Sequence, residues 1–285
     1  MPCTEHTVIV WAGYAVNVLY NGAHGWRQRG LFGDKRRTKQ FCRQHGIPVP
    51  SDDVLPDDRV VLKPCCATRG DGIQIGRAAD LLGVAEDGTL KPPPAGYLVE
   101  AFVTGLHYRV IVMDGEVIGA TLRTPAAVTG DGKRTLRELI AAASTCATPA
   151  CDKTCSRQLS TVPAAGETIQ LNDLSNFAKG GSVTPADHID DTVRALCRHV
   201  FDVTGVRLFG IDLITPDIAR PVASTTAINE LELFNDIDIH FVLRDVVWDR
   251  YVALAHRYTR RAAVALHLLL AVIAVAVVLA VSYRR

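Results

Sequence analysis

Short apolar runs bounded by turn residues are the most frequent pattern along this chain. They predict β-strands at residues 59–62 and 97–103. Two further runs, 108–113 and 116–122, flank Asp114-Gly115, a dipeptide typical of the two-residue turn of a β-hairpin. The first half of the chain is therefore predicted to contain at least four strands.

Helices are marked mainly by their end signals. Asp34 can cap a helix that runs to about His45, where Gly46 ends it. A short helix is expected over residues 78–84. The segment 185–203 is also predicted to be a helix, which Gly205 ends.

Thr135 and Glu138 have the spacing of a capping box, so a helix is predicted from there to about Ala143. The following residues, 144–182, show no regular pattern. Loops of this length are usually functional or mobile. Three thiols in it, Cys146, Cys151 and Cys155, are either free or zinc ligands, and free thiols are favoured because no CxxC pair is present.

The end of the chain differs in composition from the rest. Residues 262–282 are apolar except for His267 and Ser282, and as a helix they would span about 31 Å. Arginines on both sides fit interfacial anchoring, and their excess upstream favours a cytosolic body. The pattern predicts a single-pass, tail-anchored membrane protein, with a juxtamembrane helix at 246–261.

The charge balance restricts the choice of partner. The 285 residues include 31 Lys and Arg against 30 Asp and Glu, with no basic block. A nucleic acid is therefore not the expected partner. The N-terminus also lacks the pattern of a secretory signal.

Acidic residues interrupt two apolar runs in the C-terminal half. Asp212 lies in one run, and Glu230 and Glu232 lie two residues apart in the next. On a strand both glutamates face the same side. Carboxylates among apolar residues need compensation, and three that converge would suit Mg²⁺. A salt-bridged strand pair is the alternative.

Two lysines stand where a bound phosphate could meet them. Lys35 follows a helix cap, and Lys63 ends a strand before a loop that contains Gly70 and Gly72. Glycines let backbone N–H groups approach phosphate oxygens closely. By itself, the loop is better explained as a plain hairpin turn.

The order of these features resembles the ATP-grasp fold. The segments DKRRTKQFCRQHGIPVP (34–50), VVLKPCCATRGDGI (60–73) and GVRLFGIDLITPDIARP (205–221) are similar to the central ligase domain of cyanophycin synthetase. So is the stretch that runs from YLVEAF at residue 97 to residue 140. The resemblance covers roughly residues 30–242 and extends to ribosomal-protein glutamate ligases and, more distantly, D-alanine–D-alanine ligases.

The resemblance implies an α+β ATP-grasp fold, in which two lobes grip ATP. Residues 1–30 would be a shortened N-terminal segment and 31–245 the ATP-grasp domain. It further implies an ATP- and Mg²⁺-dependent carboxylate–amine ligase, with Mn²⁺ as a possible substitute, that forms an amide or peptide bond through an acylphosphate. A small-molecule or peptide carboxylate and an amine such as an amino acid would be the substrates, and a homo-oligomer is left open.

Site roles carried over from the resemblance fall into three groups. Metal ligands would be Asp212, Glu230 and Glu232. Nucleotide contacts would be Lys35, Lys63, Thr68, Gly70, Gly72, Glu100, Phe102, His107 and Asn176, with Glu100 and the backbone near Phe102 receiving adenine. The acyl-phosphate and acceptor side would be lined by Arg109, Arg123, Lys179 and Arg207.

Two positions depart from the family pattern. Glu232 stands where the family has Asn, which adds negative charge beside ATP. His107 stands where an acid usually binds the ribose hydroxyls. These departures motivate an alternative function, a membrane-anchored ATP-binding module with weak or no catalysis. The murein-ligase-like domain of cyanophycin synthetase is absent from the sequence, so polymerisation is not expected.

Overall fold

The computed structural model describes residue 21 and residues 28–67, 70–143, 159–175 and 179–233. All of them lie in one compact unit, residues 1–242. In chain order the elements are α1 (Lys35–Gln44), β1 (Arg59–Pro64), β2 (Gln74–Arg77), α2 (Ala78–Leu82), β3 (Tyr97–Ala101), β4 (Leu106–Met113), β5 (Glu116–Thr124), β6 (Ala127–Thr129), α3 (Leu136–Ala143), β7 (Thr168–Gln170), β8 (Ser182–Pro185), α4 (Asp191–Thr204), β9 (Leu208–Thr215) and β10 (Ala227–Glu232).

Two antiparallel sheets form the framework. The small sheet has the order β2-β1-β3, and the large sheet has the order β10-β9-β4-β5-β8. β4 and β5 are joined by the predicted hairpin, in which Asp114 and Gly115 both have positive φ, 51° and 80°. That is the conformation a type I′ turn requires, so the dipeptide signal is confirmed.

The main core lies on one face of the large sheet. α4 packs there through Val193, Cys197 and Val200, all buried. Along each strand, side chains that point into this core alternate with side chains that point to the opposite face, as strand geometry requires. Residues contributed by the sheet to this core include Tyr108, Val110, Val112, Ala120, Phe209, Ile211, Leu213, Ile228 and Leu231.

The predicted start of α4 was wrong. Residues 182–185 form β8, which pairs with the edge of β5, and α4 begins only at Asp191. Asp190 is its N-cap and accepts a hydrogen bond from the Thr192 amide, whereas Gly205 ends it at φ 64° as predicted. Pro185 is tolerated in β8 because this strand lies at the edge of the sheet.

The segment predicted as irregular also contains β7, which pairs with β6. Its three residues show too little alternation to signal a strand. α3 begins with the predicted capping box, in which the Glu138 carboxylate accepts from the Thr135 amide at 2.7 Å. A small separate core of Ala126, Val128, Leu136, Leu139 and Leu171 holds this part together.

The small sheet and α1 follow the sequence closely. Asp34 accepts from the amides of Arg36 and Arg37, and α1 ends at Gln44 with Gly46 beyond it at φ 68°. The strands and helices predicted at 59–62, 78–84 and 97–103 are present within one or two residues of their ends.

Several predictions fall outside the described residues. These are the cysteine cluster at 146–155, the juxtamembrane helix at 246–261 and the anchor at 262–282. Among the residues that the structure does describe, no helix is both long and apolar enough to cross a membrane. The boundaries at residues 30 and 245 stay predictions.

Candidate active site

Four polar side chains form a row across the face of the large sheet opposite the main core. Thr121 on β5 lies opposite Arg109 on β4, Arg109 opposite Asp212 on β9, and Asp212 opposite Glu230 on β10. Residues in direct cross-strand register have Cβ atoms about 4.5–5.5 Å apart. Three adjacent strands, β4, β9 and β10, therefore place an arginine, an aspartate and a glutamate side by side.

A bulge in β10 completes the acidic group. The register shifts between Ile228 and Glu230, so Asn229 is the extra residue. Beyond it, Glu230 lies opposite Asp212 and Glu232 opposite Gly210, both on the face of the row. Asp212, Glu230 and Glu232 each offer an oxygen within 4.8 Å of the others.

Arginines hold two of these carboxylates. Arg109 is buried; its Nε lies 2.5 Å from Asp212 Oδ1 and its Nη2 3.1 Å from Glu232 Oε1. Arg123 Nη1 lies 3.3 Å from Asp212 Oδ1. The extra negative charge of Glu232 is thus met by a buried guanidinium.

The pKa values follow from this balance. Burial alone would raise the pKa of Asp212, but Arg109 and Arg123 outweigh it and lower that pKa to about 2. Burial would likewise lower the pKa of Arg109, and Asp212 and Glu232 raise it instead. The pair is therefore ionised at neutral pH.

Two lysines, one on α1 and one on β1, contact residues of β10. Lys35, in the first turn of α1, has its Nζ 2.9 Å from Glu230 Oε1 and 2.6 Å from the Ala67 carbonyl. Lys63, on β1, donates to Asn229 Oδ1 at 2.8 Å. Both lysines thus reach β10.

A third lysine was missed by the sequence reasoning. Lys39 is buried and forms an ion pair with Glu100 Oε2, while Lys63 Nζ lies 2.6 Å from Glu100 Oε1. The available signal was its position four residues after Lys35, on the same side of α1. Glu100, predicted to receive adenine, has both carboxylate oxygens next to lysines.

Two further predicted nucleotide contacts are His107, on β4, and Phe102, directly after β3. His107 lies opposite Arg123 and is half-buried, and burial, with Arg123 and Lys63, lowers its pKa against the effect of Asp212. Phe102 lies under the Arg59 guanidinium at 4.0 Å, and its amide donates to the Arg59 carbonyl.

The glycine loop approaches the site from β1. Gly70 and Gly72 have φ of 75° and 72°, and a Cβ on Gly72 would lie 2.8 Å from Pro64 Cγ. Asp71 between them lies 2.8 Å from Lys179 Nζ. Both glycines are thus required by the backbone, and the loop contacts the segment that carries Lys179.

Arg207 is not brought to the site. It precedes β9 and binds Asp114 at the hairpin turn, with Nε 2.7 Å from Oδ1. It lies five positions before Asp212, about 16 Å along β9. The structure therefore does not bring Arg207 together with the acidic group, and its predicted role stays a prediction. Thr68 and Asn176 lie outside the described residues.

The donor set fits a divalent cation. Three carboxylates are the hard oxygen ligands that Mg²⁺ prefers, and they converge on one face. The ion pairs with Arg109, Arg123 and Lys35 fix their orientation. On the same row, Arg109 Nη1 and Thr121 Oγ1 are buried without a hydrogen-bond partner among the described residues.

Comparison with known proteins finds distant relatives of this chain. The cyanophycin synthetase of Trichormus variabilis is 27% identical over 251 residues, which are 75% of this chain and 28% of that protein. The glutathione biosynthesis bifunctional protein GshAB of Enterococcus faecalis is 32% identical over 139 residues, 42% of this chain and 18% of that protein. The chain is thus a distant homologue of ATP-grasp ligases over most of its length.

The solved structures agree on the fold. A bifunctional glutathione synthetase from Pasteurella multocida matches with a TM-score of 0.50 and 21% identity, over 75% of this chain and 34% of that one. No protein-family model matches the ATP-grasp chain. It spans less than a third of the length of the cyanophycin synthetases it matches.

Proposed function

We propose that this ATP-grasp chain is an ATP- and Mg²⁺-dependent carboxylate–amine ligase. It forms an amide or peptide bond by way of an acylphosphate, and its substrates are a small-molecule or peptide carboxylate and an amine of the amino-acid class. The observation that carries the proposal is the meeting of opposite charges at β10. Lys35 and Lys63 reach this strand from one side, and Asp212, Glu230 and Glu232 converge on the other.

The lysines would bind the phosphates of ATP. Lys35 stands in the first turn of α1, and Lys63 stands between Glu100 and Asn229. Ammonium groups held in place before the reaction stabilise charge without reorganising, which is the main catalytic contribution expected in phosphoryl transfer.

The carboxylates would hold the metal. Asp212, Glu230 and Glu232 are the ligands, and Mg²⁺ bound there would neutralise charge on the phosphoryl oxygens. Arg109 forms ion pairs with both Asp212 and Glu232, and the three carboxylates converge on one point. Mn²⁺ is expected to replace Mg²⁺, because carboxylates suit both ions.

The acceptor side would be formed by the remaining cations. Arg109 and Arg123 border the acidic group, and Lys179 lies beside Gly180-Gly181 near the glycine loop. Their donors would hold the substrate carboxylate and then the oxyanion that forms when the amine attacks.

The segment 262–282 would tether this domain to a membrane, with the domain in the cytosol.

Product analysis tests this function directly. The full chain in detergent, ATP, Mg²⁺ and mixed amino acids and dipeptides should yield ADP together with a product whose mass equals both substrates minus water. Glu230→Gln is the matched control and should yield neither. ATP binding without ADP release from any such panel would contradict the ligase proposal.

The second candidate is an ATP-binding module with weak or no catalysis. The observation behind it is that Glu232, a third acid in the metal group, replaces the family's Asn and is held by Arg109. If the added charge has reduced catalysis, Glu232→Asn should raise the rate of ADP release. Turnover by the unaltered protein, unchanged in Glu232→Asn, would dismiss this candidate.

A further inference from the structure

Lys39 is a buried lysine to which the proposed reaction assigns no role. It is 5% exposed and lies on α1, one turn after Lys35. Its Nζ forms an ion pair with Glu100 Oε2 and donates to the Pro50 carbonyl at 3.4 Å. Burying an ammonium group is costly unless its charge is compensated, so this position calls for an explanation.

Glu100 connects Lys39 to the site. Val61 on β1 lies opposite Glu100 on β3, so Lys63 is a diagonal neighbour of Glu100 on the same face. Glu100 Oε1 lies 2.6 Å from Lys63 Nζ, while Glu100 Oε2 forms the ion pair with Lys39 Nζ. One carboxylate therefore serves two lysines.

The charges of this trio do not cancel. The side chains of Lys39, Lys63 and Glu100 are 6%, 3% and 3% exposed, and they carry two positive charges against one negative charge. If Lys39 were neutral, Glu100 and Lys63 would form a balanced pair, and Lys63 would attract an anion less. With Lys39 present, a net positive charge remains beside Asn229, where Lys63 faces β10.

Opposing effects act on the pKa of Lys39. Burial lowers it, and nearby Lys63 and Arg43 lower it further, while Glu100 opposes them. Lys39 is thus held in a place that disfavours its charge, and the contact with Glu100 offsets part of that cost.

We propose that Lys39 is a positioning residue of the nucleotide site: by sharing the charge of Glu100 it leaves part of the positive charge of Lys63 uncompensated, so that this ammonium attracts anionic phosphate oxygens. The inference rests on the proposed function insofar as ATP is the phosphate ligand. Lys39 contacts Glu100 and the Pro50 carbonyl, and it acts through Glu100 and Lys63.

Binding of ATP and of adenosine to the full chain tests the inference. Lys39→Met should weaken ATP binding about tenfold, the size of one charge-assisted contact, and leave adenosine binding unchanged. Lys39→Arg keeps the charge and should stay within about threefold of the unaltered chain. Thermal unfolding of each variant establishes that it is folded.

Charge-balanced variants separate this role from simple packing. Lys39→Met/Glu100→Gln restores the net positive charge and should recover most of the ATP affinity lost in Lys39→Met. In a Lys63→Met background, Lys39→Met should cause no further loss, because residues that act through one another are not additive.

Three results would overturn the inference. They are additive losses with Lys63→Met, no recovery in the charge-balanced variant, and an equal loss of adenosine binding. An unaltered chain that binds no ATP would overturn both this inference and the proposed function. A chain that binds ATP with the expected variant pattern yet ligates nothing would overturn the proposed function alone.

Discussion

The two sides of β10 carry opposite excesses of charge. On the small-sheet side, Lys39 and Lys63 share one carboxylate, Glu100. On the large-sheet face, three carboxylates meet two arginines, Arg109 and Arg123. Lys35 connects the two through Glu230. Each side therefore suits a ligand of the other sign, phosphate at the lysines and a divalent cation at the acids.

The two sides also differ in which elements hold their charges. Arg109 is 2% exposed and binds two acids, so the acidic face is held by ion pairs inside the sheet. The lysine side is held by contacts between α1, β1 and β3. We expect the acidic face to respond to mutation mainly in stability, and the lysine side mainly in ligand affinity.

The largest effect is expected from Arg109→Met. It leaves Asp212 and Glu232 without their buried partner, and breaking such a pair typically costs about 3–5 kcal/mol. Urea unfolding should show a loss of this size. Arg198→Met, which breaks an exposed pair with Asp202, is the control and should lose less than about 1 kcal/mol. Equal losses would show that burial of Arg109 does not matter.

Lys63→Met should come next, on the other side. Removing an ammonium that meets a charged ligand should weaken binding of a non-hydrolysable ATP analogue with Mg²⁺ about a hundredfold. Titration calorimetry measures it. The exposed Lys91→Met should bind like the unaltered chain. A Lys63→Met protein with unchanged affinity would remove the phosphate assignment from this side.

Acid should affect the acidic face selectively. The pKa of Asp212 is lowered to about 2 in the folded chain from 3.8, so its contribution is complete above about pH 4 and disappears as pH falls through 2. This amounts to about 2 kcal/mol. Asp212→Asn should lack that part of the acid-induced loss, whereas the exposed Asp202→Asn should keep it. Parallel stability curves for all three proteins would refute the lowered pKa.

The smallest effect concerns the connection between the sides. Lys35 Nζ forms an ion pair with Glu230 and so competes with a metal ion for this carboxylate. Lys35→Gln should therefore bind Mn²⁺ about three- to tenfold more tightly in the absence of nucleotide. Paramagnetic resonance of free Mn²⁺ measures this, and Lys35→Arg, which keeps the cation, is the control. Weaker Mn²⁺ binding in Lys35→Gln would show that Lys35 supports the acidic group rather than competing for it.

The sequence predicted more of the local structure than of the longer-range pairings. The caps of α1 and α3 and the Asp114-Gly115 turn depend on residues within a few positions of one another. β7 was missed and the start of α4 was placed too early, since both depend on pairing with distant strands.

The site shows the same division. The identities of Lys35, Lys63, Asp212 and Glu230 were available from spacing and resemblance, and the structure brings them together. Arg207 was assigned by resemblance alone, and the register of β9 places it at the far end of the sheet. Lys39 carried no motif of its own, and only its contact with Glu100 draws attention to it.

By itself the sequence determined the local elements and the chemical groups available for a site, because caps, turns and strand alternation are short-range properties. Only the tertiary structure decided which charges neutralise one another. That choice depends on the register of β4, β9 and β10 and on the approach of α1. It joined Arg109 to two acids and divided Glu100 between two lysines, contacts that join residues more than sixty positions apart in all but one case.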